Sequence, residues 1–113
     1  MRRVTLSVAS REDVSRRGLG AFKGKKQGAH ISFANVELLW RVLSPKRWEI
    51  LKVMTGLGPM PIREAARRVG RDVKAVHGDI HVLLNAGVLD KTKDGLIEFP
   101  YDSIHVDFML NAA

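Results

Sequence analysis

An α+β fold is predicted for this chain by three observations. Residues 3–9, RVTLSVA, alternate Val4, Leu6 and Val8 with Thr5, Ser7 and Ala9, the period of a half-buried strand. Between residues 35 and 86 the apolar residues recur at helical spacing instead, in four runs divided by SP, GLGPMP and a glycine. Asp94-Gly95 then stands between VLDK and LIEF, a strong signal for a hairpin turn.

In chain order, SREDVSRRGLGAFKG follows the first strand, with Ser10 as a candidate N-cap and Asp13 at capping-box spacing. Val14 and Phe22 are its inward candidates, and Gly18 and Gly20 weaken it as a helix. KGKKQGA reads as a loop and HISF, 30–33, as a short strand. Asn35 caps a helix in which Val36, Leu39, Trp40 and Leu43 share helical spacing. Ser44 and Pro45 end that helix and open the next, as N-cap and first residue. Trp48, Leu51 and Met54 line its inner side, so both tryptophans read as packing residues. Two more helices are expected near 62–69 and 72–86, then the hairpin. A last strand, SIHVDFML, sets Ile104, Val106, Phe108 and Leu110 inward against His105, Asp107 and Met109.

The totals restrict the class. A length of 113 residues with 45% apolar side chains supports one domain with a modest core. The chain has no cysteine, which excludes disulfides and thiolate metal sites and agrees with a reducing cytoplasm. No apolar run approaches a membrane span, and the basic start has no signal-peptide core, so no membrane association is expected. The net charge of +7 invites a polyanion, because neutralised phosphates release counterions. That charge is uneven. Residues 1–28 carry Arg2, Arg3, Arg11, Arg16, Arg17, Lys23, Lys25 and Lys26 against Glu12 and Asp13, whereas bases and acids nearly balance beyond.

From residue 45 the order is helix, helix, tight turn, helix, hairpin, the order of a winged helix–turn–helix. In IREAARRVGRDVKAVHGDI, Ala66 is small where two helices cross, and Gly70 suits the left-handed backbone that ends the first of them. Val76 and Ile80 fill the space between the helices, and Gly87 closes the second one. At 100° per residue, Val73, Val76, Ile80, Leu83 and Leu84 share one side. Lys74, Gly78, His81 and Asn85 form the opposite stripe, with Ala75 and His77 at its edges.

Gly78 therefore lies opposite the core, although glycine costs about 1 kcal/mol in a helix relative to alanine. Either it lets the backbone come close to a partner, or it stands where a longer side chain would have read a base. Both readings place the interacting surface on the same face. In the DNA major groove, Lys74, Ala75, His77, Gly78 and His81 would supply base contacts. Arg68, Arg71, Lys91 and Lys93 would meet phosphates. Asp79 flanks the core rather than the groove and is expected to pair with an arginine of the preceding helix.

LSPKRWEIL, the stretch around the two helices, and PYDSIHVDF together resemble a prokaryotic family of small winged helix–turn–helix DNA-binding proteins. Its members are often encoded beside a small toxin and act as antitoxin-type regulators. The resemblance spans about residues 29–110 and includes Arg71, Asp72, Val73, Val76, His77 and Asp79 in an RDVxxVHxD pattern. Gly78 departs from it, since a basic residue is usual there, and Ala65 stands where leucine is expected. The resemblance implies a cytoplasmic, dimeric transcriptional regulator that represses its own operon and binds a toxin.

No catalytic constellation is present. GLGAFKGKK lacks the glycine spacing of a phosphate loop and the Ser/Thr after its lysine. His77 and His81 are four residues apart, within reach of one ion, but a zinc site needs further ligands and His30 and His105 are distant in sequence. Neither enzyme activity nor a metal or other cofactor is expected. The expected organisation is a basic strand–helix arm over 1–28, a winged helix–turn–helix over 29–100 and a C-terminal strand over 101–113. The outlying strands would form a separate sheet for dimerisation or toxin binding. The expected partners are double-stranded DNA, a second copy and a toxin. Two rival readings remain: a protein-interaction module that has lost its DNA-reading residues, and RNA binding through the basic arm.

Overall fold

The architecture was obtained as a computed structural model, which describes residues 2–8 and 29–109. The expected helix with Ser10, Val14 and Phe22 lies outside these residues, as does Leu110. Within them the fold is α+β, with four helices, a three-stranded parallel sheet and a two-stranded antiparallel hairpin.

Strand β1 (Arg3–Val8) is the middle strand, flanked by β2 (Ala29–Phe33) on one side and β5 (Ser103–Asp107) on the other. Both pairings are parallel, with Leu6 opposite Ile31 and Val106. The alternation read from residues 3–9 orients β1: Val4 and Leu6 are fully buried against the helices. The start of the sheet is pinned by Arg2 and Asp102. The Arg2 amide donates to the Asp102 carboxylate at 2.9 Å, and the Asp102 amide donates to the Arg2 carbonyl at 2.7 Å.

Helices α1 (Val36–Val42) and α2 (Pro45–Met54) follow β2, and their buried Leu39, Val42, Ile50, Leu51 and Met54 join the cluster that holds Val4 and Leu6. Asn35 caps α1 as expected, its side chain accepting from the Leu38 amide at 2.7 Å. Pro45 opens α2, but Ser44 makes no side-chain cap bond. Helices α3 (Ile62–Val69) and α4 (Val73–Asn85) follow. The hairpin of β3 (Asp90–Lys91) and β4 (Ile97–Glu98) turns through Gly95 at φ +81°, a conformation that favours glycine. Met60, just before α3, exchanges two 2.9 Å backbone bonds with Ile97, which ties the hairpin to the helical pair.

A single hydrophobic cluster joins the sheet to the helices. It holds Val4, Leu6 and Phe33 together with Leu39, Ile50, Leu51, Met54, Ile80 and Phe99. The strands outside the helical unit therefore share its core.

Three residues expected inside lie outside. Trp40 is 56% exposed, because a seven-residue helix presents Leu39 and Val42 to the core and leaves its neighbour at the rim. There the Trp40 ring meets Phe108 edge-on at 5.8 Å. Val106 is 37% exposed, because β5 is an edge strand that the helices cover incompletely. Val73 is 47% exposed, because it begins α4, one turn before the helix reaches the core at Val76.

Candidate nucleic-acid interface

The turn between α3 and α4 is set by local sequence. Gly70 adopts φ +70° and ψ +34°, the left-handed cap that side chains resist. The Gly70 and Arg71 amides then close on the Arg67 and Ala66 carbonyls at 3.2 and 3.1 Å. Asp72 caps α4 by accepting from the Lys74 amide at 3.1 Å. Ala65 and Ala66, both buried, let α4 approach α3 closely, and Val76, Ile80 and Leu83 fill the contact without exposure.

These contacts leave one side of α4 free. Lys74, Ala75, His77, Gly78, His81 and Asn85 are all exposed. A Cβ added at Gly78 would meet nothing within 4 Å, so internal packing does not require glycine there. The His77 and His81 Nε2 atoms lie 3.1 Å apart in a hydrogen bond, so one ring donates and the other accepts. Lys91 and Lys93 are exposed on the hairpin. Neither they nor Lys74 belong to an ion pair among the described residues.

The arginines behave differently. Asp79 joins three elements: its Oδ1 accepts from Arg47 Nε of α2 at 3.1 Å, and its Oδ2 from Arg71 Nη2 of the turn at 2.8 Å. Arg47 also donates through Nη1 to the Arg41 carbonyl at 2.7 Å, which extends the tie to α1. Arg71 Nη1 is enclosed and has no hydrogen-bond partner among the described residues. So Asp79 pairs with the turn and with α2 rather than with an arginine of α3.

The α3 arginines are held by Glu64 instead. Its carboxylate accepts from Arg67 and, at 2.8 Å, from Arg68 Nε. The Arg67 hydrogen bond holds the Glu64 carboxyl below its ordinary range, helped by the charges of Arg67 and Arg68 and opposed by desolvation. Reciprocally, Glu64 raises the Arg67 guanidinium.

The structure thus gathers the expected α4 residues on one open face, leaves both hairpin lysines free and ties up Arg68 and Arg71. Sequence reasoning missed Arg47, Glu64 and the Asp72 cap. The Glu64 pairs follow i,i+3 and i,i+4 spacing, and Asp72 directly precedes an apolar run, so both were readable locally. Arg47 lies 32 residues from Asp79, and no local spacing connects them.

An open helix face beside a tied hairpin on an α+β frame defines the class of protein. The chain belongs to the family described as HVO_A0114, whose model matches residues 42–106. No curated protein matches the chain. Its fold is similar to the crystal structure of a predicted DNA-binding transcriptional regulator from E. coli, with a TM-score of 0.52 and 18% identity over 79% of this chain and 85% of that one.

Proposed function

We propose that this protein is a sequence-specific, DNA-binding transcriptional regulator of winged helix–turn–helix architecture. The observation that carries this reading is the free face of α4: Lys74, Ala75, His77, Gly78 and His81 lie exposed on a helix that buries Val76, Ile80 and Leu83 on its opposite side. Lys91 and Lys93 on the hairpin offer phosphate contacts beside it, in the place of a wing. The fold shared with the E. coli protein, itself described as a predicted DNA-binding transcriptional regulator, supports the same reading. Arg68 contributes to phosphate binding to the extent that Glu64 releases it. Arg71 acts through Asp79, orienting α4.

The test is a gel shift against the protein's own upstream region at several salt concentrations. Lys74→Ala and Lys93→Ala each weaken the complex and reduce the salt slope by about one. Absence of any sequence-preferring complex would refute the reading and favour an interaction module. Affinity that depends on residues 1–28 but not on His77 would favour RNA or non-specific polyanion binding.

The reading includes a homodimer. A cavity of about 570 Å³ lined by Leu39, Trp40, Leu43, Pro45, Trp48 and Val106 opens beside β5. The outer edge of β5 has no strand partner among the described residues. An unpaired edge next to an apolar hollow suits a second copy, because one two-fold axis pairs the edges and covers both hollows. Val106→Lys places a charge at that rim. It lowers the mass found by sedimentation while the urea midpoint stays nearly fixed; an unchanged mass would refute this interface. An antitoxin role rests on the family resemblance alone, and a cytoplasmic location on that resemblance and the absence of cysteine. Co-expression with the product of the adjacent open reading frame tests the antitoxin role: rescue from toxicity supports it, and no rescue refutes it.

A further inference from the structure

We propose that His77 and His81 form a two-imidazole site for a late first-row divalent ion such as Zn2+. Imidazole nitrogen is a preferred ligand for these ions, with metal–nitrogen bonds of about 2.0–2.1 Å. With the two Nε2 atoms 3.1 Å apart, such bonds subtend an angle of about 98° at the ion. That value lies between octahedral and tetrahedral geometry, so the helix already holds the nitrogens at the right separation. The ion would sit off the line joining them, so each ring must turn about its terminal torsion to aim its lone pair at the ion. Both rings are exposed, tilted 51° to each other with centroids 4.2 Å apart, and their terminal torsions are broad.

In the present hydrogen bond one imidazole carries its proton on Nε2 and the other on Nδ1. Binding requires the donor ring to present an unprotonated Nε2 to the ion, as the acceptor ring already does. Water completes the coordination, because no group of three or more metal-binding side chains occurs among the described residues. Lys74, one turn earlier on the same face, opposes the ion and keeps the site weaker than a structural zinc site.

The consequence for DNA rests on the reading of α4 as the groove helix. Two added positive charges on its open face tighten a phosphate-rich complex. Guanine N7, an unprotonated nitrogen facing the major groove, is a ligand of the same kind and can replace one of the waters.

The test is calorimetric titration of ZnCl2 into the full chain without DNA. One ion should bind per chain, and His77→Ala or His81→Ala should weaken it roughly a hundredfold, because the second imidazole then no longer binds intramolecularly. His105→Ala is the control and should leave the isotherm unchanged. Matching thermal melts show that the variants remain folded, as expected for exposed positions. No binding, or variant isotherms that superimpose on the parent's, would overturn the site whatever the DNA result. Zinc should also lower the Kd of the promoter complex in the parent and not in either variant; an equal response in the variants would overturn the coupling. Zinc binding without any promoter complex would leave the site standing and refute the DNA reading instead.

Discussion

Replacing Asp79 with alanine isolates the contact that orients α4. The carboxylate satisfies Arg47 Nε and Arg71 Nη2, and the three side chains are only 22%, 17% and 23% exposed for Arg47, Asp79 and Arg71. Breaking a fully buried pair by removing one partner costs about 3–5 kcal/mol, since the remaining charge is left uncompensated. Here one-fifth exposure lets water approach both guanidiniums, which reduces the expected loss to about 2–3 kcal/mol. For a chain of this size that lowers Tm by about 10 °C or more. Urea denaturation at neutral pH reads it directly, as a lower midpoint with an unchanged m-value. The DNA measurement separates orientation from contact. Asp79→Ala removes no cation, and Arg47 keeps its bond to the Arg41 carbonyl, so promoter affinity falls while the salt slope does not decrease. Arg71→Ala should give the same pair of results: lower stability and an unchanged slope. A fall of about one in the slope for Arg71→Ala would show that this arginine does meet phosphate. An unchanged midpoint for Asp79→Ala would refute the account of the ion pair itself.

Two further substitutions test neighbouring claims. Because its bonds to Arg67 and Arg68 lower the Glu64 carboxyl, the stabilisation it gives is present above its unfolded pKa and fades as pH falls through the acidic range. Glu64→Gln should therefore flatten the acid limb of the urea midpoint against pH. It should also steepen the salt dependence of DNA binding by freeing two arginines; no change in either would show that Glu64 does not hold them. Gly78→Ala should raise stability by up to about 1 kcal/mol, since the added Cβ enters open space on a helix. If the glycine serves close backbone approach, the same variant binds its promoter more weakly; unchanged or tighter binding would refute that role.

Features governed by local sterics were legible in the sequence. Gly70 and Gly95 have positive φ where a helix cap and a hairpin turn demand it, and Pro45 begins its helix. The alternation of residues 3–9 showed which side of β1 is buried, but not its neighbours. Those are set by core packing between segments up to about 100 residues apart, which no short window contains. Helical spacing likewise assigns Trp40 an angle without saying how far its neighbours extend. The open face of α4 was readable because burial on a 13-residue helix follows from its period. The partners of its flanking charges were not, because Asp79 had several arginines within reach and only the assembled fold selects Arg47 and Arg71.

That selection changes what the net charge means. Four arginines near the helical pair, Arg47, Arg67, Arg68 and Arg71, are bound by Asp79 or Glu64. On α3, α4 and the hairpin, the cations outside any ion pair among the described residues are Arg63, Lys74, Lys91 and Lys93. Even if all four met phosphates, each chain would contribute a salt slope of only about 3–4. On the proposed reading, the orienting pairs and the cations free to meet DNA are different residues, so stability and affinity can be altered separately on this surface. A measured slope well above that limit would have to draw on other cations. The largest reserve is the set of basic residues between positions 9 and 28, Arg11, Arg16, Arg17, Lys23, Lys25 and Lys26. Reading the slope with those six neutralised by glutamine assigns the electrostatic attraction either to the helix face or to that segment.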